Sequence, residues 1–340
     1  MKASLKDIAE SLNLSKTTVS WVLSGRGSEK GISEATQQRV IGCAKKLNYQ
    51  PNLLARSLNT GVSGTIGLIL PSISDSFYSQ VAREVEMEAE QHGYSLMISS
   101  SESEIEREDR MIRIFKAKQV DGIIVAPTKI SKVEIGRLVE EQYPLVVFDR
   151  YFPELPISYI AIDNEHSSFR LISHLIEKGS RKIAVITTNR HLRTMEMRRE
   201  GYARALAEAG IAYNPDLCGE VPFVGYEKHI DWVLDRIFER VPDVDGFFFT
   251  THILALEAFR YFHEHGIDIN HGFGLACIHE EPSIRVLAPH INVARMPIEE
   301  IGRNAVRMLI DSIHRLKAPD ASDGPKHEQL VLPCSICIRD

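Results

Sequence analysis

The residues with the clearest capacity for metal or redox chemistry are two cysteines and three histidines in the last third of the sequence. Cys334 and Cys337 have the C-x-x-C spacing of a metal-binding or redox pair. His263, His265 and His271 are close in sequence, but neither an H-E-x-x-H pattern nor a second group of ligands accompanies them. The histidines are therefore expected to be solvated side chains, and the sequence predicts no metal site around them.

Glycines and nucleophiles show no phosphate-binding or catalytic pattern. Gly25, Gly27 and Gly31 nearly match a dinucleotide fingerprint, but they follow a predicted helix instead of a strand and their spacing is wrong. The sequence has no Walker loop, nucleophile elbow or paired-carboxylate constellation. We therefore expect no enzymatic activity and no cofactor. A nucleotide-using α/β enzyme is the alternative, and an assay for cofactor turnover would distinguish it.

Residues 5–23 have the spacing of a helix-turn-helix, a DNA-binding motif. The run LKDIAESLNLSKTTVSWVL contains two short stretches with apolar residues at helical spacing, each behind a serine that can cap it, Ser4 and Ser15. Ser33 can cap a third helix. The second helix begins with small polar residues, whose side chains can approach base edges in the major groove. A generic three-helix bundle is the alternative, but the caps, the spacing and the charge together favour DNA binding.

The charge of the chain is unevenly distributed. Residues 1–60 contain nine Lys/Arg and four Asp/Glu, a net charge of +5, whereas the whole chain carries −6 and the remaining 280 residues therefore carry −11. A basic segment attached to an acidic body indicates that only the first segment contacts a polyanion. A solvated basic face is the alternative explanation.

Composition and termini suggest a compartment. The chain is 44% hydrophobic and 25% charged, with a mean hydropathy of −0.13, which is typical of a soluble globular protein. The N-terminal sequence MKASLKDIAE lacks the apolar region of a signal peptide, and no apolar run approaches the length of a membrane span. Five cysteines are few and odd in number, which argues against a disulfide framework. We expect a cytoplasmic protein.

From Thr65 onward, short β-branched runs alternate with stretches of helix length. The predicted strands are TIGLIL, YSLMISS, VDGIIVAP, PLVVFD, YIAID, RKIAVITT, EVPFV, DGFFFTT, FGLACIH and INVARMP. The predicted helices include 77–92, 105–118, 131–142 and about 195–210. This alternation indicates parallel sheets covered by crossover helices, and about ten strands are too many for one compact sheet. We therefore expect two similar α/β lobes with a ligand cleft between them.

The stretch from Leu5 to Leu58 resembles the LacI/GalR family of bacterial transcription regulators. The matching residues there are LKDIAESLNLSKTTVSWVL and ISEATQQRVIGCAKKLNYQPNLLARSL. The similarity continues through GLILPSISDSFYSQV, VDGIIVAP, FDR, AIDN, RREGYARAL and MPIEEIGRNAVRMLI, so it covers essentially the full chain. The runs FDR and FFTTHILALEA look more like the fructose-repressor branch.

The resemblance implies a fold and a set of domains. The expected fold is an all-α helix-turn-helix headpiece, followed by an α/β periplasmic-binding-protein-like body of two doubly wound lobes. The expected domains are a DNA-binding domain at 1–50, a hinge helix and linker at 51–63, an N-terminal lobe at 64–162 with 295–320, and a C-terminal lobe at 163–294 with 321–340. Cys334 and Cys337 would lie in the last strand, where residues three apart point to opposite faces, so we expect no shared metal or redox pair.

The resemblance also implies the residues that contact DNA. They are Lys16, Thr17, Thr18, Ser20, Trp21, Ser33, Asn52, Arg56 and Leu58. Lys16, Thr17 and Trp21 match positions where family members read bases, and Trp21 departs from the Arg or His often found there. Thr18, Ser20 and Ser33 match positions that contact phosphates. Leu58 matches a hinge-helix leucine that wedges into the minor groove, where Arg56 would suit the negative potential. The alternative for the hinge leucines is that they cover the body.

The implied effector site lies between the lobes. Its residues are Phe77, Tyr78, Asp149, Arg150, Asp163, Arg198, His252 and His279. Arg150 and Arg198 favour an anionic or phosphorylated sugar, although ion pairs with Asp149 or Asp163 are equally compatible. His252 and His279 stand where the family usually has carboxylates, and if they contact an anion we expect effector affinity to vary with pH around neutrality.

The function implied is that of a sequence-specific transcriptional regulator, a repressor that binds a pseudo-palindromic operator as a homodimer. A sugar or sugar phosphate would be its effector. An effector-independent regulator and a solute-binding protein for transport are the alternatives, and the DNA-binding head argues against the second.

Overall fold

The computed structural model describes residues 3–49, 61–128, 132–188, 193–222, 225–269, 272–317 and 327–339. The chain forms two compact units, Met1–Ser63 and Gly64–Asp340. The predicted hinge residues Asn52, Arg56 and Leu58 lie outside the described residues, as does His271. The fold expected from the sequence, a helical head and a two-lobed α/β body, is confirmed.

The head contains three helices, α1 (Leu5–Leu12), α2 (Lys16–Leu23) and α3 (Glu34–Lys46). Each begins behind a serine that caps it, as the sequence predicts. Ser4 forms a reciprocal capping box with Asp7, while the hydroxyls of Ser15 and Ser33 accept from backbone N–H groups in the first turns of α2 and α3. One apolar side chain from each helix, Ile8, Val19 and Val40, is completely buried at their junction.

The N-terminal lobe is built on a parallel sheet with strand order β11-β5-β4-β3-β1-β2. Its strands are β1 (Thr65–Leu70), β2 (Ser95–Ser100), β3 (Ile123–Val125), β4 (Leu145–Phe148), β5 (Ser158–Ile162) and β11 (Gln329–Leu332). Its helices are α4 (Ser76–Gln91), α5 (Ile105–Ala117), α6 (Lys132–Glu140) and α12 (Ile298–Lys317). The central strands are buried on both faces, which explains why they read as continuous apolar runs.

The C-terminal lobe repeats this plan with strand order β12-β10-β9-β8-β6-β7. Its strands are β6 (Ile183–Thr188), β7 (Cys218–Val221), β8 (Gly246–Phe249), β9 (Gly274–Ile278), β10 (Asn292–Arg295) and β12 (Ser335–Cys337). Its helices are α7 (Asn164–Glu177), α8 (Arg193–Glu208), α9 (Ile230–Arg240), α10 (His252–Glu264) and α11 (Pro282–Leu287), with 3₁₀ turns at Pro215–Leu217 and Tyr226–Lys228. Only β12 runs antiparallel to its neighbour in the described pairings.

The chain crosses between the two lobes three times, after β5, after β10 and between β11 and β12. The last crossing differs from the sequence prediction, which assigned all of 321–340 to the C-terminal lobe. Residues Gln329–Leu332 instead pair with β5 in the N-terminal sheet, and Leu332 is buried there. A four-residue strand with one buried side chain has no pattern that shows which sheet it will join.

The two cysteines with C-x-x-C spacing point to opposite faces of the second sheet, as predicted. Cys334 packs against the core between that sheet and its inner helices, and Cys337 packs against the core on the other face. Neither forms a disulfide. Within the described residues, no helix is both long and apolar enough to cross a membrane.

Candidate functional site

The exposed face of α2 is the candidate DNA-reading surface of the head. Val19 and Val22 anchor the helix in the core, which leaves Lys16, Thr17 and Ser20 exposed. Three polar side chains, one of them cationic, are therefore held on a rigid and capped helix. This arrangement suits contact with base edges and phosphates.

The hydroxyls of two predicted phosphate ligands also act as parts of helix caps. Thr18 Oγ1 lies 2.8 Å from the Ser15 hydroxyl, and Ser33 Oγ lies 2.9 Å from Thr36 Oγ1. Each hydroxyl has one donor and two acceptor positions. A cap contact therefore leaves capacity for a phosphate contact.

Trp21 is half-buried beneath the loop that follows α2. The ammonium of Lys30 lies 5.6 Å from the centre of the Trp21 ring, within the range of a cation–π interaction. The loop folds back toward Trp21 because Gly25 and Gly31 take φ values of +77° and +68°, which favour glycine. It also exposes Arg26. The glycine run that resembles a nucleotide fingerprint thus forms a basic loop beside the reading helix.

The body contains a cavity of about 510 Å³ between its lobes. The described cavity lining includes seven of the eight predicted effector residues: Phe77, Tyr78, Asp149, Arg150, Arg198, His252 and His279. They follow the carboxyl ends of strands or begin helices, which is where doubly wound sheets bind ligands. The expected convergence of aromatic, cationic and imidazole groups is therefore present.

Asp163 is the predicted effector residue that does not line the cavity. Its Oδ1 accepts from the backbone N–H of His166, 3.1 Å away, and caps α7. Its own N–H donates to Leu332 of β11. The structure therefore gives this carboxylate a role in capping a helix and does not include it in the described cavity lining, so its contact with a ligand stays a prediction.

Arg198 lies in the cavity wall, but its guanidinium already has protein partners. Its Nε donates to Asn164 Oδ1 at 2.7 Å, and its Nη1 donates to the Thr250 carbonyl at 2.5 Å. The side chain is 4% exposed, and burial lowers its pKa. The close approach of α8 to α7 that permits these bonds depends on Gly201, since a Cβ there would lie 2.1 Å from the Glu165 carbonyl oxygen.

Arg150 forms one of the ion pairs that the sequence left open. Its Nε lies 3.6 Å from Asp149 Oδ2, and the same carboxylate oxygen accepts from the Tyr78 hydroxyl at 2.7 Å. Asp149 has a left-handed backbone, with φ of +62°. The charge of Arg150 is therefore already balanced inside the cavity wall.

His252 joins the two lobes. It begins α10 behind the capping Thr251, and its Nε2 lies 3.2 Å from Ser76 Oγ and 3.5 Å from Asp75 Oδ1, both in the N-terminal lobe. Burial lowers the pKa of His252 to about 4. Asp75 also caps α4 through the Phe77 N–H, and burial raises the pKa of its carboxyl to about 6.

The imidazole of His279 is buried in the cavity wall without a hydrogen bond in the described structure. It is 3% exposed, and neither ring nitrogen has a partner. Its ring centre lies 4.8 Å from that of His252 and 5.6 Å from that of Phe77. Burial, followed by the charges of His252 and Arg198, lowers its pKa to about 3. Both imidazoles are therefore neutral at pH 7 in the described structure, and the pH dependence expected if they contact an anion stays a prediction.

Sequence reasoning missed most of the acidic residues of the cavity. Asp75, Glu102, Glu227, Glu257 and Glu281 all contribute to the lining. Only Asp75 had a recognisable sequence signal. An Asp just before a predicted helix is a typical N-cap, and this one also follows the first predicted strand of the body. The glutamates lie in turns and on helices where their spacing shows no pattern.

Sequence patterns of three known families match this chain. The pattern described as bacterial regulatory proteins, lacI family, matches residues 4–52. Periplasmic binding proteins and sugar binding domain of LacI family matches residues 63–221, and periplasmic binding protein-like domain matches 172–340. The ribose operon repressor of Halalkalibacterium halodurans is 31% identical over 92% of this chain and 90% of its own length. The repressor CytR of Escherichia coli is 27% identical over 99% of this chain and 95% of its own length.

Solved structures show the same fold. The lac repressor dimer bound to operator and the anti-inducer ONPF is 20% identical, with a TM-score of 0.82 over 100% of this chain and 98% of that chain. A complex of the transcriptional regulator CelR with cellobiose is 23% identical, with a TM-score of 0.71 over 99% of both chains. At these identities the likeness concerns the fold.

Proposed function

The chain belongs to the LacI family of bacterial regulatory proteins, and we propose that it is a transcriptional repressor whose operator affinity is set by a small molecule bound between its lobes. One observation carries the proposal. A capped three-helix head with an exposed polar reading face is joined, in one chain, to a two-lobed body that encloses a cavity of about 510 Å³. The first binds DNA and the second binds a ligand.

The proposed DNA complex contains two copies of the chain. One reading helix spans a single half-site, so a pseudo-palindromic operator requires a homodimer. Lys16, Thr17 and Ser20 are available for the major groove, and the basic loop with Arg26 and Lys30 lies beside them. Asn52, Arg56 and Leu58, outside the described residues, remain the proposed minor-groove contacts.

Fluorescence anisotropy tests DNA binding directly. The full chain is titrated with DNA from upstream of its own gene and with random DNA of equal length. Lys16→Gln should weaken operator binding by about 1–3 kcal/mol and binding to random DNA by less, because it removes a base contact. Lys46→Gln, an equal charge change at the exposed end of α3, is the matched control. Equal affinity of the wild-type chain for both DNAs would contradict the proposal.

The proposed effector is a sugar-like molecule. A cavity of about 510 Å³ has the size of a small-molecule site, and its wall combines Phe77 and Tyr78 with polar groups that can meet hydroxyls. The cellobiose complex of CelR shows that a relative of this fold binds a sugar. A thermal-shift screen of sugars and sugar phosphates, repeated with operator DNA, tests this. A true effector changes operator affinity, and operator changes effector affinity by the same factor.

Two alternatives fit the structure less well. An effector-independent regulator would not need the buried and unpartnered imidazole of His279 in its cleft. A solute-binding protein would not need the DNA-binding head. We also propose that the protein is not an enzyme and that it works in the cytoplasm, where operator DNA is present.

A further inference from the structure

The charges that line the cleft are mainly negative. Among the described lining residues, the acidic ones are Asp75, Glu102, Asp149, Glu227, Glu257 and Glu281, and the basic ones are Arg150 and Arg198. Arg150 is paired with Asp149, and Glu257 is paired with Arg260 outside the lining. Subtracting these pairs still leaves more carboxylates than guanidiniums. An anionic ligand would therefore enter a field of its own sign.

The guanidinium of Arg198 does not reverse this field. Two of its five N–H groups already donate to Asn164 and Thr250, so the protein itself uses part of the guanidinium that a phosphate would need. Glu281, by contrast, begins α11 without making a cap hydrogen bond, and its charge acts on His252. Asp75 also lies close to this imidazole, with its Oδ1 3.5 Å from His252 Nε2. The acidic part of the cleft is thus centred on the histidine pair.

The imidazole of His279 gives independent evidence about the ligand that binds in this cleft. It is 97% buried in the cavity wall, and both ring nitrogens lack a partner in the described structure. A neutral imidazole has one N–H donor and one acceptor nitrogen. A buried donor and acceptor without partners are costly, so a ligand that gives this imidazole a hydrogen-bond partner would be favoured.

We propose that the effector is a polyhydroxylated molecule with a protonated amine, an amino sugar in its simplest form, whose ammonium lies in the acidic part of the cleft. This inference rests on the proposed function and replaces the sugar phosphate expected from the two arginines. An ammonium donates to carboxylates and to an acceptor nitrogen, and a neighbouring hydroxyl accepts from the imidazole N–H. Either group can supply the His279 imidazole with a partner that it lacks in the described structure.

The test compares ligands that share one ring and differ in charge. Glucosamine, glucose and glucose 6-phosphate, with the corresponding galactose series, are added to the full chain in calorimetry and thermal-shift assays. The amine should bind roughly tenfold more tightly than the neutral sugar, as expected for one partly screened charge pair, and the phosphate should bind most weakly.

Variants locate the interaction. Glu281→Gln should remove most of the advantage of the amine over the neutral sugar, whereas Glu239→Gln, the same charge change at an exposed position on α9, should leave it intact. His279→Asn should weaken both ligands, because asparagine tolerates the φ of +74° but lacks the imidazole pair. Melting temperatures of the variants establish that they are folded.

Each outcome decides the inference. Tightest binding of the phosphate, or equal binding of amine and neutral sugar that Glu281→Gln does not change, would overturn it while leaving effector control in place. Failure of every member to bind would also overturn it. Failure of the proposed function is a different result, since operator DNA would then not bind, or would bind with an affinity that no ligand alters.

Discussion

The two cleft histidines make the stability of the body depend on pH in a defined direction. Burial lowers the pKa of His252 to about 4 and that of His279 to about 3, whereas an unfolded histidine has a pKa of about 6.5. Between these limits each imidazole is neutral in the folded state and protonated in the unfolded state. Lowering the pH from 7.5 to 5 therefore favours unfolding.

The magnitude follows from the proton uptake of each group. At pH 5 each histidine should lower the free energy of unfolding by about 2 kcal/mol relative to pH 7.5. Asp75 has the opposite effect, because its pKa is raised to about 6 in the folded state. Protonation of the folded carboxyl raises the free energy of unfolding by about 1.4 kcal/mol between pH 7.5 and pH 5. The charge of Glu281 raises the pKa of His252, and the charge of Arg198 lowers it. The pKa of about 4 for His252 already includes both effects. Together, His252, His279 and Asp75 should thus lower the free energy of unfolding by about 2.5 kcal/mol at pH 5 relative to pH 7.5.

Urea unfolding of the full chain at pH 7.5 and pH 5.0 measures this dependence. His252→Asn and His279→Asn should each remove about 2 kcal/mol of the difference between the two pH values. His263→Asn, which changes an exposed histidine on the same helix as His252, should leave the difference unchanged. A cleft variant with the pH dependence of the wild-type chain would refute the reasoning, since its imidazole would then be solvated in the folded state.

The head, the hinge segment and the helix packing behind the cleft give four more tests. Operator binding should weaken steeply with salt, because phosphate contacts release counterions, and a body of residues 61–340 with comparable affinity would contradict the assignment of DNA binding to the head. Leu58→Ala should weaken operator binding more than binding to random DNA, and equal losses would exclude a minor-groove wedge. Gly201→Ala should destabilise the body by about 1–3 kcal/mol, because its Cβ would overlap the Glu165 carbonyl. Gly42→Ala, in a helix position with open space, should stabilise the head by about 0.5–1 kcal/mol, and urea midpoints check both.

The fold was predictable because its signals are local. The run TIGLIL predicts a buried strand, and β1 spans Thr65–Leu70. The serines before α1, α2 and α3 mark helix starts that the structure confirms. Strand β11 was not assigned correctly, because its place beside β5 depends on a sheet edge formed more than 160 residues earlier in the chain.

The positions of the site were more predictable than its chemistry. Seven of eight effector residues line the cavity, but sequence could not show that Asn164 and Thr250 occupy Arg198. The protonation of His252 and His279 likewise depends on burial by both lobes, which no local pattern encodes. The sequence therefore suggested a sugar or sugar phosphate, whereas carboxylates outnumber guanidiniums among the described lining residues of the assembled cleft.

The three crossings between the lobes make the cleft behave as a joint. A single connection would let one lobe swivel freely on the other, whereas three connections, after β5, after β10 and between β11 and β12, restrict that rotation and favour bending at the connections. Under the proposed function, a ligand held between the lobes would favour one range of this bending. Inducers and anti-inducers would then differ in the range that each favours.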